Sequence, residues 1–118
     1  MSIKQVGKFT LNQQGGYVAR TMFIYTDENG QEYHSQQTGN ELVDQSYTTD
    51  PGSLGVPDGS LVTFYLWVMA GNDERATQIF QYAKGSQNTA VYMCNGTTLI
   101  GGKLHFQGVT TGLAKAVA

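Results

Sequence analysis

The sequence predicts an all-β fold, a single-domain antiparallel β-sandwich of about eight strands spanning residues 1–118. Turn-forming residues recur about every eight to twelve positions, the spacing of short strands in sandwiches and barrels. Between them lie runs rich in β-branched and aromatic residues, which suit a pleated, half-buried surface. No window of helical length shows an apolar repeat near 3.6 residues.

The first strand is expected over residues 4–11, closed by a turn at 12–16. Residues 17–26 follow as a long strand, and Asp27-Glu28-Asn29-Gly30 supplies an Asn-Gly step suited to a hairpin. The return strand, residues 31–37, is polar enough for an edge, and residues 42–49 form a further strand. Residues 50–60, DPGSLGVPDGS, hold both prolines and three glycines. They read as an ordered loop with a β-turn at Pro57-Asp58-Gly59, anchored by Leu54 and Val56.

Residues 61–70, LVTFYLWVMA, form the central strand. The run is too short for a membrane-spanning helix, which needs about 20 apolar residues. Its side chains alternate between two apolar faces, so one can fill the core while the other, carrying Tyr65 and Trp67, must be covered or must meet a partner. A turn at 71–74 precedes strands over 77–82, 89–95, 97–100 and 103–109, with Asn95-Gly96 read as a tight turn and Gly101-Gly102 as a break. The tail, residues 113–118, is expected to be frayed or extended.

Composition bounds the function. One core is the expectation for 118 residues of which 40% are hydrophobic. Only 14% are charged, with a net charge of −2, so there is no electrostatic footprint for nucleic acid. The single cysteine, Cys94, cannot form an intramolecular disulfide. The opening MSIKQVGKFTLNQQGG lacks the apolar stretch of a signal peptide, so synthesis in the cytosol is expected, with later release by lysis or a signal-independent route.

Catalysis finds little support. Two histidines, His34 and His105, and one cysteine make a poor zinc set, and no hydrolase, zincin, phosphate-loop or cofactor motif is present. The expectation is a non-enzymatic protein without cofactor or structural metal. The loop carboxylates Asp27, Glu28, Asp50, Asp58, Asp73 and Glu74 leave calcium open, without EF-hand spacing.

Aromatic content is the remaining signal. Phe64, Phe80 and Phe106 are expected in the core. Seven tyrosines exceed what a small core can bury with satisfied hydroxyls, so Tyr17, Tyr25, Tyr33, Tyr65 and Trp67 are candidate exposed contacts. Arg20 shares a strand face with Met22 and Ile24, so it either reaches the rim or meets an anionic group.

The segments GGYVAR (Gly15 to Arg20) and YMCNGTTL (Tyr92 to Leu99) resemble small bacterial or fungal β-sandwich proteins of the cytolysin and insecticidal type, the aegerolysin-like proteins in particular. The resemblance implies recognition of a membrane lipid and action with a second, pore-forming protein. The sequence therefore points to a recognition protein for a membrane lipid headgroup or a glycan, of toxin or defence type. The alternative is a self-associating structural protein whose apolar sheet face or edge forms a homo-oligomer.

Overall fold

A computed structural model describes residues 3–99 and 101–111. The expected tail at 113–118 lies outside them. The architecture is the predicted all-β sandwich, with ten strands among the described residues: β1 Gln5–Val6, β2 Lys8–Gln13, β3 Ala19–Thr26, β4 Glu32–His34, β5 Gln45–Thr49, β6 Leu61–Val68, β7 Glu74–Arg75, β8 Phe80–Tyr82, β9 Asn88–Thr97 and β10 Gly101–Thr111. One sheet runs β1-β8-β6-β3-β4, with β7 also on β6; the other runs β10-β9-β2-β5. Six of the eight strand pairings are antiparallel, while β1 runs parallel to β8 and β2 parallel to β9.

The parallel pairs have a local cause. The strand expected over residues 4–11 divides at Gly7, so β1 joins one sheet and β2 the other. A Cβ at Gly7 would stand 2.3 Å from the Ser86 carbonyl oxygen, so only glycine lets the chain pass there. Asn95-Gly96 is not a turn: both residues lie inside β9, with Gly96 at φ 90°, and the chain reverses instead at Thr98 and Leu99. Gly101 and Gly102, expected to break the pattern, begin β10. Glu74, read as the end of a turn, and Arg75 after it pair with Leu66 and Tyr65 of β6.

Packed rings fill the space between the sheets. Phe9 of β2 lies 4.8 Å from Phe23 of β3, and Phe64 of β6 stacks on Tyr92 of β9 at 4.7 Å. Phe80 is buried beside them. Phe106 departs from the core expectation: it packs on Phe80 and Tyr92 from the rim and is 38% exposed. The 50–60 loop is anchored by buried Leu54 and Val56, and Asp50 caps a 3-10 turn at Pro51–Leu54 by accepting the Gly52 N–H.

Beyond the short β4, residues 35–41 run along β3 as a strap. The hydroxyls of Ser35 and Thr38 accept the Phe23 and Thr21 backbone N–H groups, and Ala19 and Glu41 exchange backbone bonds. These bonds occupy β3 N–H groups that an open sheet edge would leave for another chain.

Phe64→Ala removes a fully buried ring from the cluster and is expected to cost about 3–5 kcal/mol in urea unfolding. Ile79→Ala, at an exposed position, should change stability by less than about 0.5 kcal/mol.

Candidate functional site

Three of the sequence-predicted contact residues come together on the outer face of β3 and β6. In register, Arg20 faces Trp67, Met22 faces Tyr65 and Ile24 faces Thr63. The Arg20 guanidinium lies 4.7 Å from the centre of the Trp67 ring and donates to Asn40 and Gln37. Tyr65 donates to Asp73 at 2.7 Å and carries the His34 ring at 6.0 Å; the Asp73 bond holds its phenol above the ordinary value.

Much of this outer face is already covered, with Arg20, Tyr65 and Trp67 half-buried on it. Met22, Ile24 and Thr63 are each less than a tenth exposed although, among the described residues, no second sheet lies over them. Gln37 reaches the Met22 sulfur. Arg75 of β7 pairs with Glu32 of β4 at 2.9 Å, and because those strands flank β6 and β3 the pair crosses the face above them. Half-exposed ion pairs contribute little energy, but their aliphatic stems shield apolar surface.

The other candidates are elsewhere. Tyr25 and Tyr33 stack on each other at 5.4 Å, and Tyr33 donates to Asp27 at the hairpin. Tyr17 is not a surface residue: it is buried, its hydroxyl donates to the Asn95 carbonyl, and burial pushes its phenol up. Cys94 is buried against Gln13, and burial raises its thiol, whereas His105 turns outward to Asn95. The described residues hold no cluster of three or more metal-ligating side chains. Asp27 is taken up by the Asn29 and Gln31 N–H groups and Asp58 by that of Lys84.

A different assembly of residues stands at one end of the sandwich, where β2, β6 and β9 finish and β3, β5 and β10 begin. Four connections meet there, tied by bonds from Met69 N–H to Val18, from Gly16 N–H to Gly96 and from Asp44 N–H to Gln13. Gly71 lies so close to Thr98 that a Cβ would stand 3.2 Å from the threonine methyl. The tips of these connections expose apolar side chains: Leu99 is 95% exposed, Leu42 47%, Val43 45% and Met69 40%. None was singled out from sequence. The available signal was an apolar residue inside a turn context, as in Thr98-Leu99 before Gly101 and Met69-Ala70 before Gly71.

No family model and no curated protein matches the chain. Among solved structures it is similar to listeriolysin O, with 19% identity over 86% of this chain and 22% of that one and a TM-score of 0.46. It is similar to the human-specific toxin intermedilysin at 18% identity, over 88% of this chain and 23% of that one, with a TM-score of 0.48. The membrane-binding domain of pneumolysin matches at 12% identity over 86% of this chain and 95% of that one, with a TM-score of 0.45. The chain thus spans less than a quarter of listeriolysin O and of intermedilysin. These chains stand on the cytolysin side of the resemblance drawn from sequence, and at such identities and scores they assign this chain neither a family nor an activity.

Glu41 holds the strap where it reaches this end. The residue is 2% exposed, its carboxyl accepts from the Thr21 hydroxyl at 2.8 Å, and Gln13 donates to its backbone carbonyl. Burial pushes the carboxyl above its ordinary value of 4.5, with the Thr21 and Thr38 hydroxyls pulling it back. The native state therefore keeps a proton at pH values where the unfolded chain has lost it. The stability this contributes is complete below the ordinary value and falls as pH rises through the higher native one. Glu41→Gln is expected to remove that dependence: relative to wild type, its melting temperature should gain as pH rises from about 4.5 and level off once the native carboxyl has ionised, as read by thermal unfolding across pH.

Proposed function

We propose that this chain is a non-enzymatic membrane-recognition module of the toxin type, meeting a bilayer surface with the end of the sandwich that carries Leu42, Val43, Met69 and Leu99. The observation behind this reading is Leu99, 95% exposed at the tip of the hairpin between β9 and β10, with three more exposed apolar side chains on adjoining connections. Such clustering is costly to hold in water and favourable at an interface, where burying one leucine contributes about 1.5–3 kcal/mol. Four partly buried tips would give reversible attachment. One of the similar structures is a membrane-binding domain; the reading agrees with it and rests on the exposed tips.

Action on an outer surface after release, a defence or insecticidal role, and a second, pore-forming protein belong to the same proposal. Self-association is the alternative. Since the outer face of β6 is partly covered by this chain's own side chains, an interface between copies would fall to a strand at the end of a sheet, such as β10, which pairs with β9 alone among the described strands.

Co-sedimentation with neutral, anionic and sterol-containing vesicles tests the reading. Wild type should be retained by at least one composition, and Leu99→Asp should lose about tenfold or more in affinity with an unchanged melting temperature. If no composition retains the wild type, the membrane reading is wrong.

A further inference from the structure

We infer that the groove on the outer face of the β10-β9-β2-β5 sheet, beside the start of β5, binds an uncharged sugar. The groove holds about 250 Å³ and is lined by Asn12, Gln14, Asp44, Ser46, Met93 and Gln107 among others. This is smaller than the pockets that enclose drug-sized ligands and suits a single sugar ring with its neighbours in solvent.

The polar groups are pre-aligned. Ser46 donates to the Asn12 Oδ1 at 2.6 Å, and the Asn12 Nδ2 donates to the Gln107 Oε1 at 3.0 Å. This row starts on β5 and crosses β2 and β9 to reach β10. Asn12 is fixed from both sides and Gln107 by Asn12, so capacity for a ligand remains at the two ends of the row: Gln107 keeps its Nε2 donors and Ser46 an acceptor. Asn12 pairs with Met93 in the β2–β9 register, so the methionine side chain shares the outer face with it and gives the groove an apolar part of its lining.

Asp44 completes the set. Its N–H donates to the Gln13 carbonyl at 2.6 Å and its backbone sits at φ 64°, a conformation that Asp and Asn adopt more readily than other side-chain-bearing residues. Its carboxylate has no side-chain partner among the described residues, and the residue lines the groove. A pyranose matches this arrangement. Adjacent hydroxyls can donate together to one carboxylate while accepting from amide N–H groups, and the ring's C–H face can rest on the methionine. Among the described residues the lining includes no lysine or arginine, so a sialylated or phosphorylated sugar would bring a second negative charge to Asp44 without compensation there.

Asp44 directly follows Val43, so a sugar in the groove would stand beside the connection proposed to touch the bilayer. The inference deepens the membrane reading by naming the headgroup as that of a glycolipid, and it rests on that reading for its setting. Sugar binding itself is measurable in free solution.

The test is an NMR titration of the intact chain with methyl glucoside, methyl galactoside, N-acetylglucosamine and a methyl sialoside. The expected result is saturable shifts of the Asn12 and Gln107 side-chain amides and the Asp44 backbone amide with at least one uncharged sugar, and none with the sialoside. Asp44→Asn keeps the backbone conformation and should weaken binding about tenfold or more without lowering the melting temperature. The proposal is overturned if no uncharged sugar moves these amides at ~100 mM, far above the millimolar range of weak specific contacts, or if Asp44→Asn binds like wild type. Glycolipid-free vesicles separate the two readings. Retention there without sugar shifts removes the groove alone, and sugar shifts without retention on any vesicle remove the membrane setting alone.

Discussion

The packing of Phe9, Phe23, Phe64 and Tyr92 between the sheets is the contact on which the remaining architecture depends. Several strands are only two or three residues long, too short to hold a sheet by their ladders alone. Aromatic rings bury large areas and pack in offset or edge-on pairs, so a few of them can lock two small sheets together. The rings come from β2, β3, β6 and β9, and these strands all begin or finish at the end where the exposed tips lie. Fixing the rings therefore also fixes the connections, and Leu99 projects from a paired hairpin.

A second constraint acts on β6, which is apolar on both faces. The inner face meets the rings. The outer face would ordinarily call for a further layer, but here long polar side chains lie across it, with Arg20 on Trp67 and Arg75 reaching Glu32. Their heads remain in water while their stems and rings exclude it from Met22 and Ile24. The face that looks most like a binding surface is thereby partly covered by the chain itself, with Tyr65 and Trp67 half-buried, and Leu99, the most exposed of the large apolar side chains among the described residues, lies on a connection.

Much of this frame was legible along the chain. Residues 61–70 read as a central strand because alternation of β-branched and aromatic residues is a local property, and the Asn29-Gly30 hairpin because positive φ favours particular residues. The division at Gly7 was not legible, since the reason for that glycine is the Ser86 backbone, about eighty positions away. Gly96 misled for a related reason: a glycine with positive φ serves a turn or an irregularity within a strand equally well, and only pairing with β10 decides which. Tyr17 read as a surface residue because tyrosine suits either environment, and the Asn95 carbonyl that satisfies its hydroxyl is distant in sequence.

The sequence by itself determined the class of fold, the central strand and the turn chemistry of the first hairpin, because these follow from residue types and their spacing. The tertiary structure decided which apolar side chains stay exposed, which tyrosines are buried, and that Asp44, Asn12 and Gln107 share one groove. Exposure and convergence depend on what packs against a residue from elsewhere in the chain. Alternation along a strand says which side chains share a face, and says nothing of what covers it.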